Sequence, residues 1–132
     1  MEKRVLVVDD EPCMVDLMAE ILEREGYRVE AAADGRAAIR HAETFHPHLM
    51  VLDVMMPEEN GYRVSRLVKT GEGVTCDPIP KVLLVTGRRL DDDPDRETMF
   101  MEFSMADGIV YKPFELVDLR TRIHDLIGEV DV

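Results

Sequence analysis

The chain is poor in cysteine, in aromatic residues and in positive charge. Its 132 residues include two cysteines, Cys13 and Cys76, which are too few for a disulfide scaffold and match no metal-binding spacing. It has 16 basic residues against 28 acidic ones, so its formal net charge is −12. Direct nucleic-acid binding is therefore not expected, because it requires a basic surface. An acidic chain instead suits a partner with a basic surface or a bound cation.

Membrane segments and a secretion signal are also missing from the sequence. The longest apolar stretches, such as residues 5–8, are only a few residues long, whereas a membrane-spanning helix needs roughly 20. The amino terminus leads directly into a strand-like run and has no apolar signal core. We therefore expect a cytoplasmic protein without a membrane partner, and the length fits one domain with a single core.

What the sequence does contain is a regular alternation of strand-like and helix-like segments. Apolar runs predict strands at residues 5–8, 27–32, 49–52, 81–85 and 108–111. Amphipathic stretches and capping residues predict helices from Pro12 to Gly26, over 35–45, from Asn60 to near Gly71, from Pro94, and over 116–127. Five repeats of strand and helix imply a parallel sheet with helices on both faces.

Polar side chains follow four of the five predicted strands. They are Asp9, Asp10 and Glu11 after the first strand, Asp53 after the third, Thr86 and Gly87 after the fourth, and Lys112 and Pro113 after the fifth. Ligands of an open parallel sheet bind beyond the carboxyl ends of its strands. Three aspartates at this edge would repel one another unless a cation lay between them, and carboxylate oxygens suit Mg²⁺.

This set of side chains is suited to phosphoryl transfer. A carboxylate beside Mg²⁺ can attack phosphorus and become an aspartyl phosphate. The metal and the Lys112 ammonium can neutralise charge, and the Thr86 hydroxyl can donate to a phosphoryl oxygen. Each motif alone is common in solvated turns and helix caps. Asp53 is more informative, because a carboxylate that closes a wholly apolar strand is costly to bury unpaired.

These residues resemble the receiver domains of bacterial response regulators over nearly the whole chain. The matching motifs are VLVVDDE at 5–11, LMVLDVMMP at 49–57, NG at 60–61, LLVTG at 83–87 and YKPF at 111–114. The resemblance implies a flavodoxin-like, doubly wound α/β fold with five helices and five parallel strands in the order 2-1-3-4-5. It further implies one receiver domain over residues 1–132, with its core at about 3–128, and no output domain in this chain.

The resemblance also implies how phosphate and metal are bound. Asp53 corresponds to the phosphoacceptor and to a ligand of Mg²⁺, which Mn²⁺ can replace. Asp10 corresponds to a direct metal ligand, Asp9 to a ligand acting through water, and Met55 to a ligand through its backbone carbonyl. The phosphoryl-binding and switch positions are Thr86, Gly87 and Lys112, and the structural positions are Pro57, Gly61 and Pro113. The Lys112–Pro113 peptide is similar to one that is usually cis in this family.

The partners implied are a sensor histidine kinase or a histidine phosphotransfer protein. Phosphorylation is expected to alter the face formed by the fourth helix, the fifth strand and the fifth helix, where a partner or a second copy would bind. Such a chain is a signalling phosphoacceptor and catalyses only its own phosphorylation and dephosphorylation. One departure concerns the switch, because Ile109 stands where the family often has an aromatic residue. Tyr111 lies two residues on, on the same side of the strand.

Two other hypotheses remain open from the residues. The first is an Mg²⁺-dependent phosphatase similar to the haloacid-dehalogenase-like enzymes, which use a related Asp, Thr and Lys set. Their nucleophile, however, follows the first strand in an Asp-x-Asp motif, and this chain has Asp9-Asp10-Glu11 there. The second is an interaction module that no longer accepts phosphate. The intact polar set argues against it, although Ile109 leaves it some support.

Overall fold

The computed structural model describes residues 2–56, 59–87 and 93–128. The strands within these ranges are β1 (Arg4–Val8), β2 (Arg28–Ala32), β3 (Leu49–Asp53), β4 (Lys81–Thr86) and β5 (Gly108–Tyr111). The helices are α1 (Pro12–Arg24), α2 (Gly35–Phe45), α3 (Gly61–Thr70), α4 (Pro94–Ser104) and α5 (Leu116–Ile127). Strands and helices alternate along the chain, as the sequence predicts. The structural position predicted at Pro57 lies outside the described residues.

The five strands form one parallel sheet in the order β2-β1-β3-β4-β5. Helices α1 and α5 pack on one face of this sheet, and α2, α3 and α4 pack on the other. This arrangement confirms the predicted doubly wound fold and strand order. All five residues of β3 are buried, because a strand in the middle of such a sheet is covered on both faces.

Alternate residues of each central strand belong to different cores. Val5 and Leu49 pack with α1 and α5, whereas Leu6 and Met50 pack with α2 and α3. A period of two directs successive side chains to opposite faces of the sheet. The uninterrupted apolar runs in the sequence therefore supply two cores at once. They also leave the first polar residue after each run at the edge of the sheet.

The predicted boundary between α1 and β2 is wrong by two residues at the helix end and one at the strand start. Helix α1 ends at Arg24 rather than at Gly26, and β2 starts at Arg28 rather than at Tyr27. The backbone N–H of Tyr27 donates to the carbonyl of Leu22 at 3.1 Å, so Tyr27 closes the helix instead of pairing in the sheet. Its ring is buried, and its hydroxyl donates to the Gly128 carbonyl at 2.7 Å.

Helix starts follow the capping residues in the sequence. The side chains of Asp34, Asn60 and Asp93 accept hydrogen bonds from backbone N–H groups in the first turns of α2, α3 and α4, which satisfies donors that have no partner within the helix. Pro12 and Pro94 occupy the first turn of α1 and α4. Among the helices of the described ranges, none has the length and apolar character needed to cross a bilayer.

Candidate functional site

Three aspartates meet at the carboxyl edge of the sheet. Asp53 is the last residue of β3, and Asp9 and Asp10 directly follow β1. The β1–β3 register pairs Val8 with Leu52, so the next residue of each strand reaches the same place. One carboxylate oxygen from each aspartate lies within 4.8 Å of the others. Asp9 and Asp53 are only 2% and 4% exposed, whereas Asp10 is open to solvent.

Lys112 brings its ammonium group into this acidic cluster from the end of β5. Its Nζ lies 3.2 Å from Oδ2 of Asp9 and 3.8 Å from Oδ2 of Asp53. Burial alone would lower the pKa of Lys112, but the charges of Asp53 and Asp9 outweigh it and raise that pKa. The ammonium therefore stays charged at neutral pH. The Lys112–Pro113 peptide is cis, as the resemblance implies.

Asp53 has a strongly perturbed carboxyl group. Burial, followed by the charge of Asp9, raises the pKa of Asp53 from 3.8 to about 6. Lys112 and the backbone N–H of Met55, which lies 3.3 Å from Oδ1, act in the opposite direction. These two interactions therefore offset only part of the cost of ionising Asp53. A carboxyl group whose pKa is raised by burial and by a neighbouring charge is typical of functional sites.

The donor set fits a hard divalent cation. It offers carboxylate oxygens from three aspartates within 4.8 Å, two of them buried, and oxygen ligands of this kind suit Mg²⁺ or Mn²⁺. A cation there would also reduce the repulsion that raises the pKa of Asp53. The Met55 backbone is adjacent, since its N–H contacts Asp53. The ligand role of the Met55 carbonyl remains a prediction.

Thr86 ends β4 and is fully buried next to the cluster. The strand register pairs Asp53 with Val85 and Thr86 with Tyr111, so Thr86 lies between the ends of β3 and β5. Its carbonyl accepts from the Lys112 N–H at 2.8 Å. Gly87 follows, and no described residue would lie within 4 Å of a Cβ added there.

Gly61, the first residue of α3, packs against the backbone that follows β3. A Cβ at this position would lie 2.6 Å from the Asp53 carbonyl oxygen and 2.9 Å from the Val54 Cα. The Gly61 N–H donates to the Val54 carbonyl at 3.1 Å. The start of α3 thus rests directly on the end of β3, and only glycine fits at this contact.

Two further residues considered for the switch, Ile109 and Tyr111, lie on β5. The Tyr111 hydroxyl donates to Oε2 of Glu97 on α4 at 2.6 Å, while Ile109 is half-buried against the core beneath α2, α3 and α4. The sequence indicated Tyr111 but not its partner Glu97, because the helix dipole alone is enough to explain an acidic residue in the first turn of a helix. No spacing rule pairs residues 97 and 111, because their contact depends on how α4 packs beside β5.

A family model and curated relatives match most of this chain. The family model for the response regulator receiver domain matches residues 5–124. The transcriptional regulatory protein TrcR of Mycobacterium tuberculosis is 37% identical over 94% of this chain and 45% of its own length. The alkaline phosphatase synthesis transcriptional regulatory protein PhoP of Bacillus subtilis is 33% identical over 100% of this chain and 51% of its own length. The chain spans about half the length of the curated relatives it matches.

Solved structures share the fold. A CheY-like receiver domain protein from Methanospirillum hungatei superposes with a TM-score of 0.80 at 28% identity, over 95% of this chain and 93% of that one. The response regulator TrrA of Thermotoga maritima, solved in complex with Mg²⁺-BeF, has a TM-score of 0.77 at 30% identity, over 95% and 99% of the two chains.

Proposed function

Because this chain belongs to the response regulator receiver domain family of two-component signalling, we propose that Asp53 is its phosphoacceptor. The observation that carries the proposal is the placement of Asp53 within 4.8 Å of the two other aspartates, with the Lys112 ammonium 3.8 Å away. We further propose that residues 1–132 form a single receiver domain that acts in the cytoplasm.

In the proposed reaction, a carboxylate oxygen of Asp53 attacks the phosphorus of a phosphohistidine on a sensor kinase or a phosphotransfer protein. The O–P bond forms as the P–N bond breaks, and the imidazole leaves with the electron pair and takes up a proton. Lys112 neutralises negative charge beside the acceptor, and the Thr86 hydroxyl donates to a phosphoryl oxygen. Asp53 is mostly ionised at neutral pH, because its pKa is about 6.

Asp10, Asp53 and the Met55 carbonyl would hold Mg²⁺ directly, with Asp9 acting through water. The bound ion supplies positive charge that offsets the carboxylates and the phosphoryl oxygens. Asp9 is already oriented for this role, because its Oδ1 accepts the Glu11 N–H at 2.9 Å. Mn²⁺ prefers the same kind of oxygen ligands and can substitute.

The proposed output is the face formed by α4, β5 and α5. Phosphorylation would bias a two-state equilibrium at this face and so change its affinity for an effector or for a second copy of the chain. Tyr111 supports this location, because its hydroxyl links β5 to Glu97 of α4. Movement of the Tyr111 side chain would replace that of the aromatic residue which the family often has at the position of Ile109. Under this proposal the domain catalyses only its own phosphorylation and dephosphorylation.

The test is intact-mass spectrometry after incubation with acetyl phosphate and Mg²⁺. One phosphoryl adduct per chain is expected, absent with chelator and absent from Asp53→Asn. Asp118→Asn, at an exposed aspartate of α5, is the matched control and should label as the parent chain does. No adduct on folded chain with either acetyl phosphate or phosphoramidate would refute the proposal and favour an interaction module. Multiple turnover of a phosphomonoester would favour a phosphatase.

A further inference from the structure

A pocket of about 310 Å³ lies at the amino edge of the sheet, at the opposite end of the strands from the aspartate cluster. Its lining includes Lys3 directly before β1, His48 directly before β3 and Lys81, the first residue of β4. This volume is at the low end of the range for ligand-binding pockets, roughly 300–1,000 Å³. The pocket is therefore large enough for a small molecule, and it shares no residue with the proposed phosphoacceptor site.

Apolar side chains form a second part of the lining. Ile79 precedes β4, and Leu126 and Ile127 end α5. Ile79 is 60% exposed, and the two residues of α5 are half-buried. One exposed apolar side chain needs no explanation. Three that line the same cavity provide a surface on which a hydrocarbon chain can be removed from water.

Hydrogen-bond donors line the same pocket. The Lys3 ammonium is held there, because its Nζ donates to the Ile127 carbonyl at 2.6 Å. The Nδ1 atom of His48 accepts the Arg4 backbone N–H at 3.0 Å, so the neutral ring carries its proton on Nε2 and can donate from there. The Lys81 side chain is 54% exposed. The polar part of the lining therefore suits a ligand that accepts hydrogen bonds.

Glu2, a carboxylate that lines the pocket, is outweighed by cations. Its Oε1 lies 3.5 Å from Nη1 of Arg4 and 3.3 Å from Nη1 of Arg28. The effect reaches His48: burial and then the charge of Arg4 lower the pKa of His48, Glu2 opposes them, and Lys3 lowers that pKa further. These charges together make the electrostatic potential at the pocket positive, which favours an anion.

The wider charge balance is also positive, in a chain with a formal net charge of −12. Asp107 lies between Lys69, at 2.6 Å, and Lys81, at 3.9 Å. Asp77 and Asp125 are exposed next to lining residues, and they reduce the excess of cations without reversing it. The charged residues of the lining and their ion-pair partners are five cations and two carboxylates, namely Lys3, Arg4, Arg28, Lys69 and Lys81 against Glu2 and Asp107.

We propose that this pocket binds a small carboxylic acid with an apolar chain. The carboxylate would accept hydrogen bonds from Lys81 and from Nε2–H of His48, beside the Lys3 ammonium. The chain of the ligand would pack along Ile79 and Ile127. The surrounding charges disfavour a cationic ligand, and a neutral one would not use them. The pocket lies at the opposite edge of the sheet from the phosphoacceptor, so binding there does not require phosphorylation.

The experiment is a methyl NMR titration of the full chain at neutral pH with octanoate, kept below the concentration at which it forms micelles. Octanamide, which has the same chain and no charge, and octylammonium, which has the opposite charge, are titrated in parallel. The methyl signals of Ile79, Leu126 and Ile127 should shift with octanoate, with a dissociation constant on the order of 1 mM. Octanamide should bind about tenfold more weakly, and octylammonium should leave these signals unchanged.

Substitutions then separate the charge from the apolar lining. Lys81→Gln should weaken octanoate binding about fivefold and leave octanamide binding unchanged, because only the anion uses the ammonium. Ile79→Ser should weaken the binding of both ligands. Arg36→Gln and Val117→Ser, at exposed residues in the first turns of α2 and α5 at the other edge of the sheet, are the matched controls and should bind like the parent.

The proposal is overturned if octanoate leaves the three methyl signals unchanged, or if octanamide or octylammonium binds as tightly as octanoate. An octanoate affinity that is the same in Lys81→Gln as in the parent would also overturn it. Self-association of the chain that Ile79→Ser abolishes would do so as well, since Ile79 would then be covered by a second copy of the chain.

Discussion

Replacing Asp53 by asparagine should make the protein more stable at neutral and alkaline pH. The folded chain holds this carboxylate at the buried end of β3, 4% exposed, beside a second buried carboxylate from Asp9. Burial and that neighbouring charge raise the pKa of Asp53 from 3.8 to about 6. Ionisation is therefore less favourable in the folded state than in the unfolded state. Asparagine keeps the shape of the side chain and removes the charge.

The size and sign of the effect follow from this shift. A shift of about two pKa units corresponds to roughly 3 kcal/mol of destabilisation by the ionised carboxylate, at about 1.4 kcal/mol per unit. The folded-state pKa lies above the unfolded value, so the cost is absent below 3.8 and fully present above about 6. Asp53→Asn should therefore gain about 3 kcal/mol near pH 8 and almost nothing near pH 4.

Urea unfolding followed by circular dichroism measures this difference directly, with chelator present to remove divalent cations. Added Mg²⁺ should stabilise the parent chain near pH 8 and narrow its gap to Asp53→Asn, because the ion binds the folded state. Asp118→Asn on α5 should stay within about 0.5 kcal/mol of the parent at both pH values. The reasoning fails if Asp53→Asn is destabilising near pH 8, or if its gain is the same at both pH values.

Three further substitutions test the supporting contacts. Gly61→Ala should cost about 1–3 kcal/mol and weaken Mg²⁺ binding, because the added Cβ would meet the Asp53 carbonyl oxygen at 2.6 Å. Gly87→Ala, where no described residue would lie within 4 Å of the added Cβ, is the control for stability, and equal melting temperatures of the two variants would contradict the expected clash. Tyr111→Phe should cost about 1 kcal/mol through loss of the hydrogen bond to Glu97, and a double-mutant cycle with Glu97→Gln that gives no coupling energy would count against that bond. Burial and the charge of Arg4 lower the pKa of His48 below 6.5, so the unfolded state binds more protons and the free energy of unfolding falls as the pH drops below about 6.5. His48→Gln should make the free energy of unfolding, measured by urea titration, depend less steeply on pH. An unchanged pH dependence would exclude His48 as its source.

Much of the fold and the site could be predicted from the sequence because both depend on local patterns. Apolar runs that end in a polar residue mark both a buried strand and its edge position, which is why Asp9, Asp53 and Lys112 could be brought together before the structure was known. The start of α3 directly after Asn60 and of α4 at Pro94 followed from the preferences of capping residues and of proline.

What the sequence could not provide depends on packing between distant segments. Tyr27 looked like a strand residue because aromatic residues favour strands, but its ring is needed in the core between α1 and α5. The partner of Tyr111 is set by the position of α4 beside β5. The exposure of Met99 and Phe103 could not be predicted either, because α4 has apolar residues on two sides and its sequence does not say which side is covered.

Borohydride trapping tests the central claim most directly. An aspartyl phosphate is reduced by borohydride to homoserine, which peptide mapping by mass spectrometry locates to a single residue. After incubation with acetyl phosphate and Mg²⁺, we expect homoserine at position 53, none with chelator, and none in Asp53→Asn. Homoserine at position 9 or 10, or at no position in a chain that carries a phosphoryl adduct, would contradict the assignment of Asp53 as the phosphoacceptor.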